Sequence, residues 1–368
     1  MADRREFLAG VKNVVIKIGS NALTLPQGGV DQGVIANLCA NIAALQHGGS
    51  RVTVVSSGAI STGVTELRLT SRPKHMPMLQ AAAAVGQYVL MSHFAAALSP
   101  FHLHAGQILV TRTDFEDRTR YLNLRNCIDA LQRTAAIPIL NENDAVAVDE
   151  IRFGDNDLIA AQVTNLLGAD LLILLSVVDG LLDSANQVRD IVHEMDKDVE
   201  SMVRGDKSSR GSGGMGSKLI AAGTVKTAGR PVLIANGKTP DIVAKLLRGE
   251  PLGTLVMPGQ KRLTAWRRWI MTHKPRGRVN VDGGAASALK NEKSLLAKGI
   301  IAAQGRFVPG DVIEIFDPAG QVVGRGRTSF SSEDLQKIMG LASHQFSKVL
   351  NRGAVPECVI HKDDLVIV

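Results

Sequence analysis

The sequence predicts an α/β protein, a mainly parallel sheet between two layers of helices, followed by a small β-rich barrel. Three observations carry this. Up to about residue 250, short β-branched apolar runs alternate with longer Ala/Leu-rich stretches, and strict strand–helix alternation implies a parallel sheet covered on both faces. After Trp266-Arg267-Arg268-Trp269-Ile270 the texture changes to short apolar runs separated by turn signals. The 368 residues also exceed one ordinary domain and suit two.

The strands are read in order as Val14–Ile18, Val52–Val55, Ile108–Val110, Ile137–Leu140, Leu171–Leu175 and Val232–Ile234. Each is a short run of buried-strand character bounded by polar or glycine residues. Between them Gly33–Leu45, Met78–Leu98, Leu122–Arg133, Leu158–Leu167 and Ser217–Ala228 have helical length and composition. In the second part, Val312–Phe316 and Val322-Val323 read as strands beside the turns Pro309-Gly310-Asp311 and Asp317-Pro318-Ala319-Gly320. The expected domains are residues 1–260 and 277–368, joined by a basic linker over 261–276.

Composition excludes several classes. The chain is 45% hydrophobic and 21% charged, which supplies apolar surface for real cores and argues against disorder. The net charge of +7 invites a nucleic-acid reading. Seven basic residues (Lys261, Arg262, Arg267, Arg268, Lys274, Arg276, Arg278) and no acid lie between Pro251 and Val281, leaving the rest of the chain balanced. Residues 275–368 hold twelve basic and ten acidic side chains without aromatic interleaving, so RNA binding is not expected as the main function. The N-terminus leads into no signal-type core, and no apolar run approaches the ~20 residues of a membrane span, so a cytoplasmic protein is expected. Cys39, Cys127 and Cys358 are few and scattered, and are read as reduced packing residues. His102 and His104 alternate on what reads as one strand face, without a third ligand for zinc.

In such folds ligands bind beyond the carboxyl ends of the strands, and polar segments stand there. Lys17 interrupts an apolar strand and is followed by Gly19 and Ser20, whose amides suit phosphate oxygens. Ser56-Ser57-Gly58 ends the next strand and can cap a helix. Asn141-Glu142-Asn143-Asp144 and Gly154-Asp155-Asn156-Asp157 bring carboxylates and amides to a strand end and a helix start. Such groups can recognise an ammonium, order a lysine or hold Mg²⁺ through water.

Gly211-Ser212-Gly213-Gly214-Met215-Gly216-Ser217-Lys218 opens a helix. It satisfies GxGxxG but follows a polar loop with no strand, and Asn236 stands where a dinucleotide fold needs an acid. A Walker A loop fails on residue order. What survives is a glycine loop delivering Lys218 at a helix N-terminus, suited to a polyphosphate. Two lysines on glycine-bearing elements with carboxylates to position them are what phosphoryl transfer requires.

Lys17–Ser20, Ser56–Gly63, Ala84-Val85-Gly86-Gln87, Asn141–Val146, Gly154–Asp157 and Gly213–Lys218 together resemble the amino acid kinase family, on its glutamate-phosphorylating branch. Residues 278–353, with Val281-Asp282-Gly283-Gly284-Ala285 and Gly310-Asp311-Val312, look like a PUA domain. The resemblance implies a three-layer αβα sandwich and a PUA-like barrel. It implies ATP-dependent phosphorylation of the L-glutamate γ-carboxylate as the first step of proline synthesis, with Mg²⁺ on the ATP phosphates, feedback inhibition by proline and a homo-oligomer. By the same resemblance Lys17, Lys218 and Asp157 are catalytic, and Ser57, Asp144 and Asn156 bind glutamate. ATP falls to Lys17, Gly19, Ser20, Ser176, Val177, Ser212, Gly213, Gly214, Met215, Gly216, Ser217 and Lys218. One departure stands out: members of the family commonly have Thr-Asp where this chain has Ser176-Val177. Ser176 keeps a hydroxyl, but Val177 cannot replace a carboxylate. Another member of the family is the alternative within enzymes, and an RNA-binding protein acting through the PUA domain is the alternative from another class.

Overall fold

The computed structural model describes residues 4–147, 156–183, 185–195, 199, 214–259 and 263–367. The chain forms two compact units, Met1–Arg262 and Leu263–Val368.

The first unit runs α1 (Arg4–Leu8), β1 (Asn13–Ile18), α2 (Ser20–Leu23), α3 (Gln32–His47), β2 (Arg51–Ser56), α4 (Ala59–Glu66) and α5 (Met76–Leu98). It continues with β3 (His104–Val110), α6 (Arg112–Glu116), α7 (Arg118–Gln132), β4 (Ala136–Glu142), α8 (Asn156–Leu167), β5 (Leu171–Ser176) and β6 (Ile191–Val192). It closes with α9 (Met215–Thr227), β7 (Val232–Asn236), α10 (Ile242–Leu247) and β8 (Thr254–Val256). Helix starts follow their caps: Asp31 accepts from the Val34 amide before α3, and Asp117 accepts from the Arg120 amide before α7.

The eight strands lie in the order β3-β4-β2-β1-β5-β7-β8-β6. All neighbouring pairs are parallel except β7 and β8, which are antiparallel. The expected parallel order therefore ends between β7 and β8, and the strand–helix alternation is already interrupted by β6, which follows β5 with no helix among the described residues. The two elements it misses, β6 and β8, have two and three residues, too short for a periodic signal. β1 is central, with β2 on one side and β5 on the other. The chain leaves β1 towards β2 on one side and leaves β5 towards the strands on the other, which opens a crevice at the carboxyl ends of β1 and β5.

Strand alternation assigns the two faces of β1. Val14, Ile16 and Ile18 join a core with Leu38 and Ile42 of α3 and Leu90 and Phe94 of α5. Val15 and Lys17 therefore face the opposite side, where α8 packs on β1. α5 is long and apolar enough to cross a membrane by length and composition, contrary to the expectation that no segment would be. Here it is a core helix, burying Leu79, Ala82, Ala83, Gly86, Leu90, Phe94 and Leu98. It meets α4 backbone to backbone: a Cβ on Gly63 would lie 1.7 Å from the Ala82 carbonyl oxygen, and one on Gly86 would lie 1.9 Å from that of Ala59.

The second unit contains α11 (Ala265–Thr272), β9 (Gly277–Val281), α12 (Gly283–Lys290), β10 (Ile300–Gly305), β11 (Val312–Phe316), β12 (Val322–Arg327), α13 (Ser332–Ile338), α14 (Phe346–Leu350) and β13 (Leu365–Ile367). Its sheet has the order β10-β9-β11-β12-β13. The two outer strands do not pair, so among the described residues this is an open five-stranded mixed sheet, where the sequence suggested a barrel. Its core gathers Val279, Val281, Ile313, Ile315, Phe330 and Phe346, the two phenylalanines meeting edge to face at 5.7 Å.

The basic stretch is more than a connector. Within it α11 is capped by Thr264, and Trp269 and Ile270 are buried. Trp266 donates to Asp364 at 2.6 Å, and the Arg327 guanidinium lies 5.1 Å from the Trp266 ring centre. Cys39 is buried, and burial pushes its thiol up to about 12. Cys127 is exposed, so it is not the packing residue expected. His102 sits in a left-handed turn before β3, so it does not share a strand face with His104.

Candidate active site

The carboxyl ends of β1, β2, β4 and β5 converge on one buried charged centre. Lys17, near the end of β1, reaches Asp157 in the first turn of α8, with Nζ 2.5 Å from Oδ1. Lys218, in the first turns of α9, approaches the other oxygen, with Nζ 3.1 Å from Oδ2. Asp157 is 0% exposed, and each lysine 3%. Ser217 donates its hydroxyl to Asp157 Oδ2 at 2.8 Å.

Burial by itself would raise the Asp157 carboxyl. The charges of Lys17 and Lys218, with hydrogen bonds from Lys17 and Ser217, outweigh it and hold the group below the ordinary carboxylate range. The start of α8 adds a favourable helix dipole. The carboxylate thus stays ionised and fixes two ammonium groups on either side of itself.

Backbone amides surround this centre. The Gly19 amide donates to the Leu175 carbonyl at 3.0 Å, tying the end of β1 to β5, and Ser20 opens α2. A Cβ on Gly19 would stand 3.5 Å from Lys17 Nζ, so the missing side chain leaves a ligand room beside the lysine. Gly214 is the extended N-cap residue of α9 and gives that helix no side-chain cap. The first-turn amides of Met215, Gly216 and Ser217 are therefore available to an anion. Ser212 and Gly213 lie outside the described residues, as do Gly154 and Asp155.

A second, neutral network adjoins the first. Asn156 Nδ2 donates to Ser57 Oγ and to Asn141 Oδ1, both at 3.0 Å. Asn141 Nδ2 donates to Gln87 Oε1 at 2.8 Å. With both amide hydrogens of Asn156 used, its Oδ1 is buried and without a hydrogen-bond partner among the described residues. A buried acceptor left open in this way suits a donor from a ligand. Gln87, Glu142, Asn143 and Asp144, with Ala83 and Ala84, line a small pocket at this end of β4. Burial pushes the Asp144 carboxyl up to about 6, with Arg72 pulling against the shift.

Of the residues singled out in the sequence, Lys17, Asp157, Ser217 and Lys218 come together in one cluster, and Ser57 and Asn156 in the adjoining network. Ser176 and Val177 stand at the end of β5, where the Gly237 amide donates to the Ser176 carbonyl at 2.7 Å. Val177 is exposed. Sequence reasoning did not select Gln87 or Asn141 as site residues, yet they orient Asn156. Both fell within segments quoted from the sequence, Ala84–Gln87 and Asn141–Val146, but nothing local pointed to their pairing.

Residues 12–236 match the model of the amino acid kinase family, and residues 277–350 that of the PUA domain. Among curated proteins, the chain is 40% identical to "Glutamate 5-kinase" of Geobacter sp. (strain M21), covering 99% of this chain and 100% of that one. It is 41% identical to "Glutamate 5-kinase" of Syntrophotalea carbinolica, covering 99% of each. It is also 41% identical to "Glutamate 5-kinase" of Dehalococcoides mccartyi (strain CBDB1), over 97% of this chain and 98% of that one.

Proposed function

The chain belongs to the amino acid kinase family, and from that premise we propose that it transfers the γ-phosphoryl group of ATP to the γ-carboxylate of L-glutamate, giving L-glutamyl 5-phosphate and ADP. The observation that carries this is the buried Lys17–Asp157–Lys218 bridge beside uncapped backbone amides. The names of the full-length relatives support glutamate as acceptor.

A carboxylate at neutral pH is already a nucleophile, so no general base is required. One γ-carboxylate oxygen attacks the γ-phosphorus in line. The bond from phosphorus to the β,γ-bridging oxygen breaks, and its electron pair leaves with ADP. Charge accumulates on the transferred group, where Lys17 and Lys218 neutralise it, and Asp157 holds the two ammonium groups at a fixed separation. Ser20 and the residues Ser212 to Ser217 offer amides to the phosphates, whereas the Gly19 amide, expected to do the same, is already held by the Leu175 carbonyl and Gly19 contributes only room beside Lys17; Ser176 and Val177 flank the nucleotide.

Glutamate binds through Ser57, Asn156 and Asp144. The open Oδ1 of Asn156 and the Asp144 carboxylate accept from its ammonium, while Ser57, already accepting from Asn156, keeps its own hydrogen to donate to a carboxylate oxygen. Asp157 has both oxygens engaged by lysines, and among the described residues no group of three or more His, Cys, Asp or Glu could hold a metal. Mg²⁺, which the resemblance implies on the ATP phosphates, would add to the charge neutralisation that Lys17 and Lys218 provide. Feedback inhibition by proline, a homo-oligomer and a cytoplasmic location belong to the same reading.

A coupled ADP-release assay with Mg²⁺ and a panel of amino acids tests it. Release should depend on glutamate and fall on addition of proline. Faster release with aspartate, carbamate or N-acetylglutamate would overturn the choice of acceptor.

A further inference from the structure

The neutral network beside the charged centre has a direction, and one main-chain group fixes it. The Glu142 amide donates to Asn141 Oδ1 at 2.8 Å. A main-chain N–H can only donate, so the Asn141 atom it meets is the oxygen. The other Asn141 atom is then the nitrogen, which donates to Gln87 Oε1 at 2.8 Å. Gln87 therefore spends its oxygen on Asn141 and keeps its Nε2 for something else. That nitrogen has no hydrogen-bond partner among the described residues, and Gln87 lines the pocket with Asn143, Asp144 and Ala145. The residue is only 8% exposed. Its place on α5 is set by the neighbouring Gly86, whose missing side chain lets α5 lie against the Ala59 carbonyl of α4.

The chain of three amides, Asn156, Asn141 and Gln87, thus ends in opposite polarities. Asn156 offers an open acceptor, Oδ1, and Gln87 an open donor, Nε2. An α-amino acid carries the complementary pair, an ammonium and a carboxylate on one carbon. A nearly buried donor held rigid at a pocket wall suits a carboxylate oxygen, where the hydrogen bond is strengthened by charge. We propose that Gln87 is a further specificity residue for the acceptor, its Nε2 donating to the α-carboxylate while Asn156 and Asp144 take the ammonium. This rests on the kinase reading above, in which the γ-carboxylate lies toward Lys17 and Lys218. An acceptor without an α-carboxylate leaves the amide unpaired and is disfavoured.

The test compares L-glutamate with 4-aminobutyrate, which is glutamate without its α-carboxylate, in wild type, Gln87→Glu and Gln87→Met. At pH 8 Gln87→Glu keeps an oxygen for Asn141 but sets an acceptor against the α-carboxylate where the donor was. The glutamate-to-4-aminobutyrate ratio of kcat/KM should fall about tenfold or more in this variant, with the ATP KM unchanged. Gln87→Met, which also leaves Asn141 Nδ2 unpaired, should lower the ratio in the same direction and lose further on both compounds. An unchanged ratio in Gln87→Glu, or equal losses on both compounds, overturns the proposal and leaves Gln87 a positioning residue for Asn141 alone. Calorimetric binding of the two compounds without ATP keeps the question separate from the reaction. Wild-type protein that prefers glutamate, loses that preference in Gln87→Glu, yet transfers no phosphoryl group would sink the kinase reading and leave Gln87 standing.

Discussion

In the first unit Lys17, Asp157 and Lys218 are almost wholly removed from water. In the second, the arginines of the ion pairs Arg325–Glu314, Arg327–Asp364 and Arg352–Asp334 keep side-chain exposures of 29%, 41% and 59%. The second unit packs around Val279, Ile313, Phe330 and their neighbours, with Arg268 and Asp334 buried among the described residues. The difference separates two uses of charge. Partly exposed pairs contribute roughly 0–1 kcal/mol each. Burying an ion costs several kcal/mol, which the attraction of its partners only partly offsets. A three-membered buried bridge is therefore poorly explained by stability and well explained by chemistry.

The sharpest way to break this contrast is to remove the shared acid. Asp157→Ala leaves two buried ammonium groups facing each other, and should cost about 3–5 kcal/mol in a denaturant melt and abolish measurable turnover. Replacing the whole bridge with Lys17→Met, Asp157→Leu and Lys218→Met should give a folded, inactive protein about as stable as the parent or more so. A marked loss of stability in that triple variant would show the bridge to be structural. Next in size, Lys218→Ala should lower kcat by ~10²–10³-fold with little change in either KM. Normal turnover with altered affinity would remove it from the transition state.

The first half of the sequence announced its fold because buried parallel strands are continuous apolar runs, and one lysine in such a run, Lys17, is conspicuous. Asp157 and Lys218 were legible for the same reason: charges beside glycines at element starts. Partnership was not legible. That Asn156 spends both amide hydrogens on Ser57 and Asn141, or that Asn236 reaches Asp179, depends on side chains brought together from distant positions. Charge density in Lys261–Arg278 hid a helix in which Arg268, Trp269 and Ile270 are buried, one of the three itself a charged residue.

A smaller effect belongs to the acceptor side. Asp144→Ala should raise the glutamate KM roughly 10- to 100-fold, the worth of one charged hydrogen bond, and leave the ATP KM alone. Because the Asp144 carboxyl is raised to about 6, glutamate affinity should fall as pH drops through 6, and Asp144→Asn should flatten that profile. The stability sign is opposite. The folded state holds this proton more tightly than the unfolded chain does, so the group favours folding below about pH 4. That contribution is lost as pH rises through 6. Asp144→Asn should then melt higher than wild type at pH 7.5, as calorimetry can measure. Smallest of all, Arg352→Ala in the second unit should cost at most about 1 kcal/mol and leave the kinetics unchanged.

The glycine contact between α4 and α5 sets a limit on redesign. No side chain lies between the helices at Gly63 and Gly86, so there is nothing to trim if a longer acceptor is to be admitted, and any added methyl pries them apart. Spreading them would carry Gln87 away from Asn141, 2.8 Å distant, and loosen Asn156 with it. The contact between the two backbones is thus one that point substitutions can break but not reset. Variants with new acceptor preference should arise at the pocket mouth, around Asp144 and Ala145, before they arise in these helices.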